Sequence, residues 1–204
     1  MMGDLKFTTA GDFMNLSLKD SIASFRQPKY IRTRRSNDTY QATAKYVIRR
    51  LNELCDEYTN TRNDEQTSRL IRDDIDNALR RYHQYCIKQN IGAHYIDLHC
   101  EDNGIFEHMI PNSTVRDLLL HDVITAEQAC NMPTCKLSKD KDDLLRESGW
   151  ASQTPDIYNF WTRYTNCFTV NGVFETYDGV QISSTMSLND HFDMFSYLVN
   201  QRSF

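Results

Sequence analysis

Gly92-Ala93-His94-Tyr95-Ile96-Asp97-Leu98-His99-Cys100-Glu101-Asp102-Asn103-Gly104-Ile105-Phe106-Glu107-His108-Met109-Ile110 is where the chain changes its rhythm. Ala93 to His99 and Ile105 to Ile110 are short, apolar-rich and partly alternating, the pattern of half-buried strands. Between them Glu101-Asp102-Asn103-Gly104 supplies turn chemistry, so the two runs are expected to pair as a β-hairpin. The segment before Gly92, back to Asp38, carries the 3.6-residue period of helices instead.

Working backwards, Tyr40, Ala44, Val47, Ile48, Leu51, Leu54, Cys55 and Tyr58 trace one helical stripe, opened by Asp38 with Gln41 three residues on. After a polar break, Leu70, Ile71, Ile75, Ala78, Leu79, Tyr82 and Cys86 trace a second stripe, and Gly92 is a natural stop. Two amphipathic helices joined by a short connection are expected to pack as an antiparallel hairpin.

Working forwards, Ser113 is placed to cap a short helix through Leu120, and Thr125 with Gln128 to open another. Ser138 precedes a third, which carries Asp140, Asp142, Leu144 and Leu145. Thr154-Pro155 reads as the start of an aromatic helix bearing Tyr158, Phe160, Trp161 and Tyr164. Asn171-Gly172 and Asp178-Gly179, each between β-prone residues, predict a three-stranded meander over 167–183. Ser187 with Asp190 makes a last capping box before Leu188, Phe192, Phe195, Leu198 and Val199. The fold class is therefore α+β: an arm and helical hairpin over 1–92, then a mixed region over 93–204, the two forming one unit.

The composition has 40% hydrophobic residues, enough for a core at this length, and a formal net charge of −5. No run approaches the roughly 18 apolar residues of a membrane span. MMGDLKFTTAGDF lacks the charged-then-apolar pattern of a secretory signal, so a cytoplasmic location is expected. The six cysteines are irregularly spaced and expected to be reduced thiols; a zinc site using Cys100, Cys130, Cys135 and a nearby histidine is the alternative.

Charge is unevenly spread. From Arg26 to Arg50 there are eight basic residues against one acid, whereas the next thirty positions carry eight acids against four bases. Arg32, Arg34, Arg35, Arg49 and Arg50 are thus candidates for gripping a phosphate backbone, with a solvated helix face as the plainer reading.

The chemistry-bearing segment is Phe106-Glu107-His108-Met109-Ile110-Pro111-Asn112-Ser113, followed by Asn131 and then Cys135-Lys136-Leu137-Ser138-Lys139-Asp140-Lys141-Asp142. An acid and a histidine end a strand, an asparagine follows in a loop, and acids sit at the mouth of a closing helix. Over about residues 105–145 this order resembles the HNH, or ββα-metal, endonucleases. The resemblance implies Glu107 and Asp140 or Asp142 as ligands of one divalent ion, Mg2+ or Mn2+. It implies His108 as the general base on water and Asn131 as the residue orienting its ring. Phosphodiester hydrolysis needs an activated water and charge neutralisation at the leaving oxygen, and a hard cation beside a neutral imidazole supplies both. DNA is the implied partner and substrate.

The closing helix carries aspartate where that family usually has histidine or asparagine. This favours the alternative of a non-catalytic module that binds nucleic acid or protein. An assembly component, using the basic arm and last helix for contacts with a protein partner or a second copy, is the third reading. His94 and His99 lie near enough on the preceding run to join a site, whereas His83, His121 and His191 read as surface or packing residues. Tyr158, Phe160, Trp161, Tyr164 and Phe168 read as core before they read as a base-stacking platform. No P-loop, GxGxxG, GxSxG or HExxH is present, so nucleotide hydrolysis, dinucleotide redox, serine hydrolysis and zinc proteolysis lack their signatures.

Overall fold

The computed structural model describes residues 38–100 and 104–200. Helix α1 (Asp38–Thr61) buries Ala44, Val47, Leu51 and Leu54 along its apolar stripe. Its last turn folds back on itself, the Thr59 and Thr61 hydroxyls donating to the Cys55 and Glu57 carbonyls. Asp64 then caps α2 (Glu65–Tyr82), its carboxylate accepting from the Thr67 hydroxyl and from the Thr67 and Gln66 backbone N–H groups, and these bonds, the hydroxyl's first, hold its pKa down.

Ile71, Ile75, Leu79 and Tyr82 form the buried stripe of α2. The connection is too short for anything but an antiparallel return. Arg50 reaches Asp74 (3.9 Å), Arg72 donates to the Tyr58 hydroxyl (2.9 Å), and Arg81 lies over the Tyr46 ring. At His83 the helix widens into a π-helical turn, His83–Lys88, followed by one tight turn, Gln89–Ile91. Gly92 stops it at φ 83°, a left-handed conformation that strains any side chain with a Cβ.

Four short strands follow: β1 (Tyr95–Asp97), β2 (Ile105–His108), β3 (Thr134–Leu137) and β4 (Phe174–Thr176), in the order β2-β3-β1-β4. β3 runs parallel to β1, with Tyr95 opposite Cys135, and antiparallel to β2, with Glu107 opposite Cys135 and His108 opposite Thr134. β4 is antiparallel to β1. The expected hairpin between the runs at 93–99 and 105–110 is therefore corrected: both are strands, but β3 lies between them. Thr134, Cys135 and Leu137 are all buried, so β3 satisfies the facing edges of both neighbours as a central strand.

Between β2 and β3 run α3 (Asn112–Leu120) and α4 (Ala126–Cys130). The first is capped at Pro111 rather than Ser113, because Pro111 is extended and its carbonyl receives the Thr114 and Val115 N–H groups. The Thr125–Gln128 capping box is complete. α3 is tied to α2 by Arg116–Asp76 (2.8 Å) and Arg72–Asp117 (3.2 Å). β3 passes directly into α5 (Lys139–Glu147), whose cap residue Ser138 donates its backbone N–H to Asp97.

The aromatic segment is helical only over α6 (Thr162–Thr165). Upstream, the Asp156 carboxylate accepts from the Tyr158 and Asn159 N–H groups, a local turn that competes with helix. The expected meander reduces to β4 and a single bridge between Glu175 and Gln181. Both turn dipeptides do turn, with Gly172 at φ 73° and Gly179 at φ 86°. The outer run finds no second partner, because β4 pairs with β1. Ser187 and Asp190 cap α7 (Leu188–Asn200) reciprocally. One apolar cluster runs from Ala44 in α1 to Phe195 in α7, through β1, β3 and the Phe160-Trp161 pair. No described helix is long and apolar enough to cross a membrane.

Candidate active site at the end of strand β2

Glu107 and His108 are consecutive on β2, and strand alternation sends their side chains to opposite faces. The Glu107 carboxylate accepts from Arg163 Nη2 at 2.5 Å. Arg163, its side chain 1% exposed, also donates to the His108 and Met109 carbonyls (2.9 and 3.1 Å) and to that of Ala151 (2.8 Å). One guanidinium thus holds both the side chain and the terminal backbone of β2. Burial lifts the Glu107 carboxyl above its usual range, Arg163 pulls it back, and the nearby charge of Asp142 lifts it further.

Asp142, buried on the first turns of α5, is held by Arg146 Nε at 2.8 Å. Asp140 faces solvent. The structure thus brings Glu107 and Asp142 into electrostatic reach of each other and leaves Asp140 outside that group.

His108 is half-buried beside Phe106 and His83, with ring centroids 5.4 and 4.7 Å away. Burial, reinforced by the positive charges of Arg80 and Arg163, lowers its pKa to about 4. The ring is neutral at physiological pH, the proton-accepting form. Arg163 acts electrostatically on both Glu107 and His108, but the two side chains lie on opposite faces of β2, so the structure brings Glu107 towards Asp142 and leaves the His108 ring apart from that pair.

Asn131 holds a different histidine. Its amide oxygen meets His94 Nε2 at 3.3 Å and its amide nitrogen donates to the Phe195 carbonyl. The Thr134 backbone N–H donates to His94 Nδ1 (3.2 Å), so the proton of His94 sits on Nε2 and points at Asn131. His191 Nε2 lies 2.8 Å from the Asn131 backbone carbonyl, a pure acceptor, so Nδ1 accepts from the Tyr95 hydroxyl at 2.8 Å. Burial drives His94 well below its ordinary pKa and His191 to about 3. Behind the sheet lies a chain of neutral, tautomer-fixed histidines.

Of the basic candidates, Arg49 and Arg50 both lean on Glu53 (3.5 and 3.4 Å). Arg32, Arg34 and Arg35 lie outside the described residues. All six cysteines are free thiols, and burial pushes Cys86 up to about 12. Cys100 bonds the Leu137 carbonyl and Cys135 the Tyr164 hydroxyl.

Among the described residues, no group of three or more His, Cys, Asp or Glu converges as a metal cage. A magnesium site takes only one or two carboxylates from the protein and fills the rest with water and phosphate. In donor chemistry Glu107 and Asp142 fit such an ion, in exchange for their contacts with Arg163 and Arg146. The sequence reading passed over Arg163, although a lone arginine in Phe160-Trp161-Thr162-Arg163-Tyr164 signals a buried charge in need of a partner. Comparison with protein-family models, curated proteins and solved structures gives no match.

Proposed function

We propose that the chain is a metal-dependent DNA endonuclease or nickase of the HNH-like type, acting in the cytoplasm on phosphodiester bonds. The supporting observation is the antiparallel β2–β3 pair that runs straight into α5, the order of a ββα unit with two helices inserted. It brings Glu107 within reach of Asp142 and leaves a neutral imidazole next in sequence. Glu107 and Asp142 would hold Mg2+ or Mn2+, which supplies charge neutralisation at the leaving oxygen. His108 is the base this reading assigns to the attacking water, and to reach it the ring would have to turn from the opposite face of β2; Arg163 balances negative charge at the strand end. Arg49 and Arg50, with Arg32, Arg34 and Arg35 of the arm, contact the phosphate backbone, so binding weakens steeply with salt.

A second reading, a non-catalytic binding module on the same fold, draws on the Arg163–Glu107 pair, which occupies the acid the chemistry needs. Nicking of supercoiled DNA with magnesium or manganese, native protein against His108→Ala, separates the two. Metal-dependent nicking that disappears in the folded variant supports the nuclease. No nicking by well-folded native protein across metals and DNA forms supports the binding module, and equal nicking by both proteins refutes His108 as base.

A further inference from the structure

The helical hairpin keeps its charges apart. Residues 42–52 of α1 include Lys45, Arg49 and Arg50 and no acid, and the return limb over 77–92 includes Arg80, Arg81 and Lys88 and no acid. Towards the connection the balance reverses: residues 53–65 hold Glu53, Asp56, Glu57, Asp64 and Glu65 against Arg62 alone. The two cationic stretches lie side by side at the open end, where Arg81 meets the Tyr46 ring. Arg80, Arg81 and Lys88 are exposed, and among the described residues none of them is paired with a carboxylate.

Two tyrosines stand among these cations, Tyr46 at 47% and Tyr85 at 48% exposed. Tyr85 follows Arg81 by about one turn, on the same side of the limb. The Arg49 and Arg81 guanidiniums lie 5.9 and 5.6 Å from the Tyr46 ring centroid. An exposed cation–ring contact is weak beside a stacked nucleobase. A base can therefore take the ring while the guanidiniums, whose planar forks match phosphate oxygens, turn to the backbone on either side. The patch continues towards β2, since the Lys88 ammonium lies over the Phe106 ring (5.7 Å) and Arg80 is within electrostatic reach of His108.

We propose that this face of the hairpin, centred on Tyr46, Arg49 and Arg81 with Tyr85 beside them, binds an unpaired DNA strand, bases stacked on the tyrosines and phosphates on the arginines. Cations alone would hold any phosphate backbone, duplex included. The exposed rings decide for the single strand, because a duplex hides the faces of its bases in its own stack. Arg81 is a stronger phosphate ligand than Arg50, which Glu53 and Asp74 already neutralise. That the strand is DNA rather than RNA rests on the nuclease reading; that it is unpaired does not.

The test is fluorescence anisotropy of the full chain with a labelled DNA strand of about 20 nucleotides, its duplex, and RNA of the same sequence. EDTA is present throughout, so cleavage plays no part. The single strand is expected to bind at least about tenfold more tightly than the duplex, since each stacked base is worth about 5–150-fold. Tyr46→Ala is expected to weaken single-strand binding about tenfold and duplex binding by less than about twofold, with Tyr46→Phe like the native protein. Arg81→Gln is expected to weaken single-strand binding and to lower its salt slope by about 0.7. Duplex bound as tightly as single strand, or unchanged single-strand binding in folded Tyr46→Ala, overturns the proposal. Should Tyr46→Ala not fold, unchanged binding in both Tyr85→Ala and Arg81→Gln overturns it equally. RNA bound more tightly than DNA overturns the assignment to DNA, and full competition by polyglutamate makes the face a general docking surface for acidic protein and overturns it too. Binding as expected from a protein that nicks no DNA with any metal upholds the proposal and removes the nuclease reading alone.

Discussion

Acidification from about pH 8 to about pH 5 is expected to destabilise this protein substantially before its carboxylates titrate. His191 and His108 have ordinary values of 6.5 and folded values of about 3 and about 4. At pH 8 each ring is neutral in both states and contributes nothing. Below 6.5 the unfolded chain takes up the proton and the folded chain does not, so stability falls with pH until the folded value is reached. By pH 5 the unfolded ring is almost fully charged and the folded one almost fully neutral. Each ring then costs about 2 kcal/mol at 1.36 kcal/mol per pH unit, or about 4 kcal/mol for the two. His83 and His94, also held well below their ordinary values by burial, act in the same direction.

That sum is a large part of the roughly 5–15 kcal/mol that holds a domain together. Urea titrations followed by circular dichroism at several pH values measure it. His191→Phe loses its bonds to Tyr95 and Asn131 and starts less stable at pH 8. Its further loss on going to pH 5 is expected to be smaller than the native protein's by about 2 kcal/mol. A native protein that loses less than about 2 kcal/mol over this range would refute the claim that these rings are locked neutral.

Other perturbations have equally definite outcomes. Arg163→Met strands the Glu107 carboxylate and frees three carbonyls; it is expected to cost about 3–5 kcal/mol in urea titration, and a loss under about 1 kcal/mol would contradict the clamp. Asp97, fully buried, accepts from the His99 and Ser138 N–H groups and from Lys141 at 2.5 Å; Asp97→Ala is expected to cost about 3 kcal/mol, with Lys141→Met costing less. Ile75→Ala in the hairpin core is expected to lower stability by about 2–5 kcal/mol. Arg49→Ala, which removes exposed contacts with Glu53 and the Tyr46 ring, is expected to change stability by less than about 1 kcal/mol in urea titration.

The helices were legible because their information is local: the stripe from Ala44 to Leu54, the Thr125–Gln128 box and the Gly92 stop lie within a few residues of what they determine. β3 was not. Four residues with a lysine among them carry no period, and the strand exists because β1 and β2 each need a partner edge. The candidate site divides in the same way. Glu107, His108 and Asp142 were visible as residue types in order. The groups that decide their chemistry come from far along the chain: Arg163 lies 56 positions from Glu107, and His191 lies 96 from Tyr95. An asparagine in a loop looked like the partner of the candidate base His108; folding gave it to His94 instead.

The central place of β3 also has a meaning in time. β1 and β2 leave the ribosome with no edge to bind, since neither touches the other in the sheet. A nascent chain halted before Thr134 can complete its helical hairpin, but it holds two bare strands with unpaired backbone, the kind of surface that chaperones cover and aggregates recruit. Arrival of four residues, Thr134 to Leu137, closes both edges at once. Synthesis of this protein therefore has a vulnerable interval about as long as the two helices that separate β2 from β3.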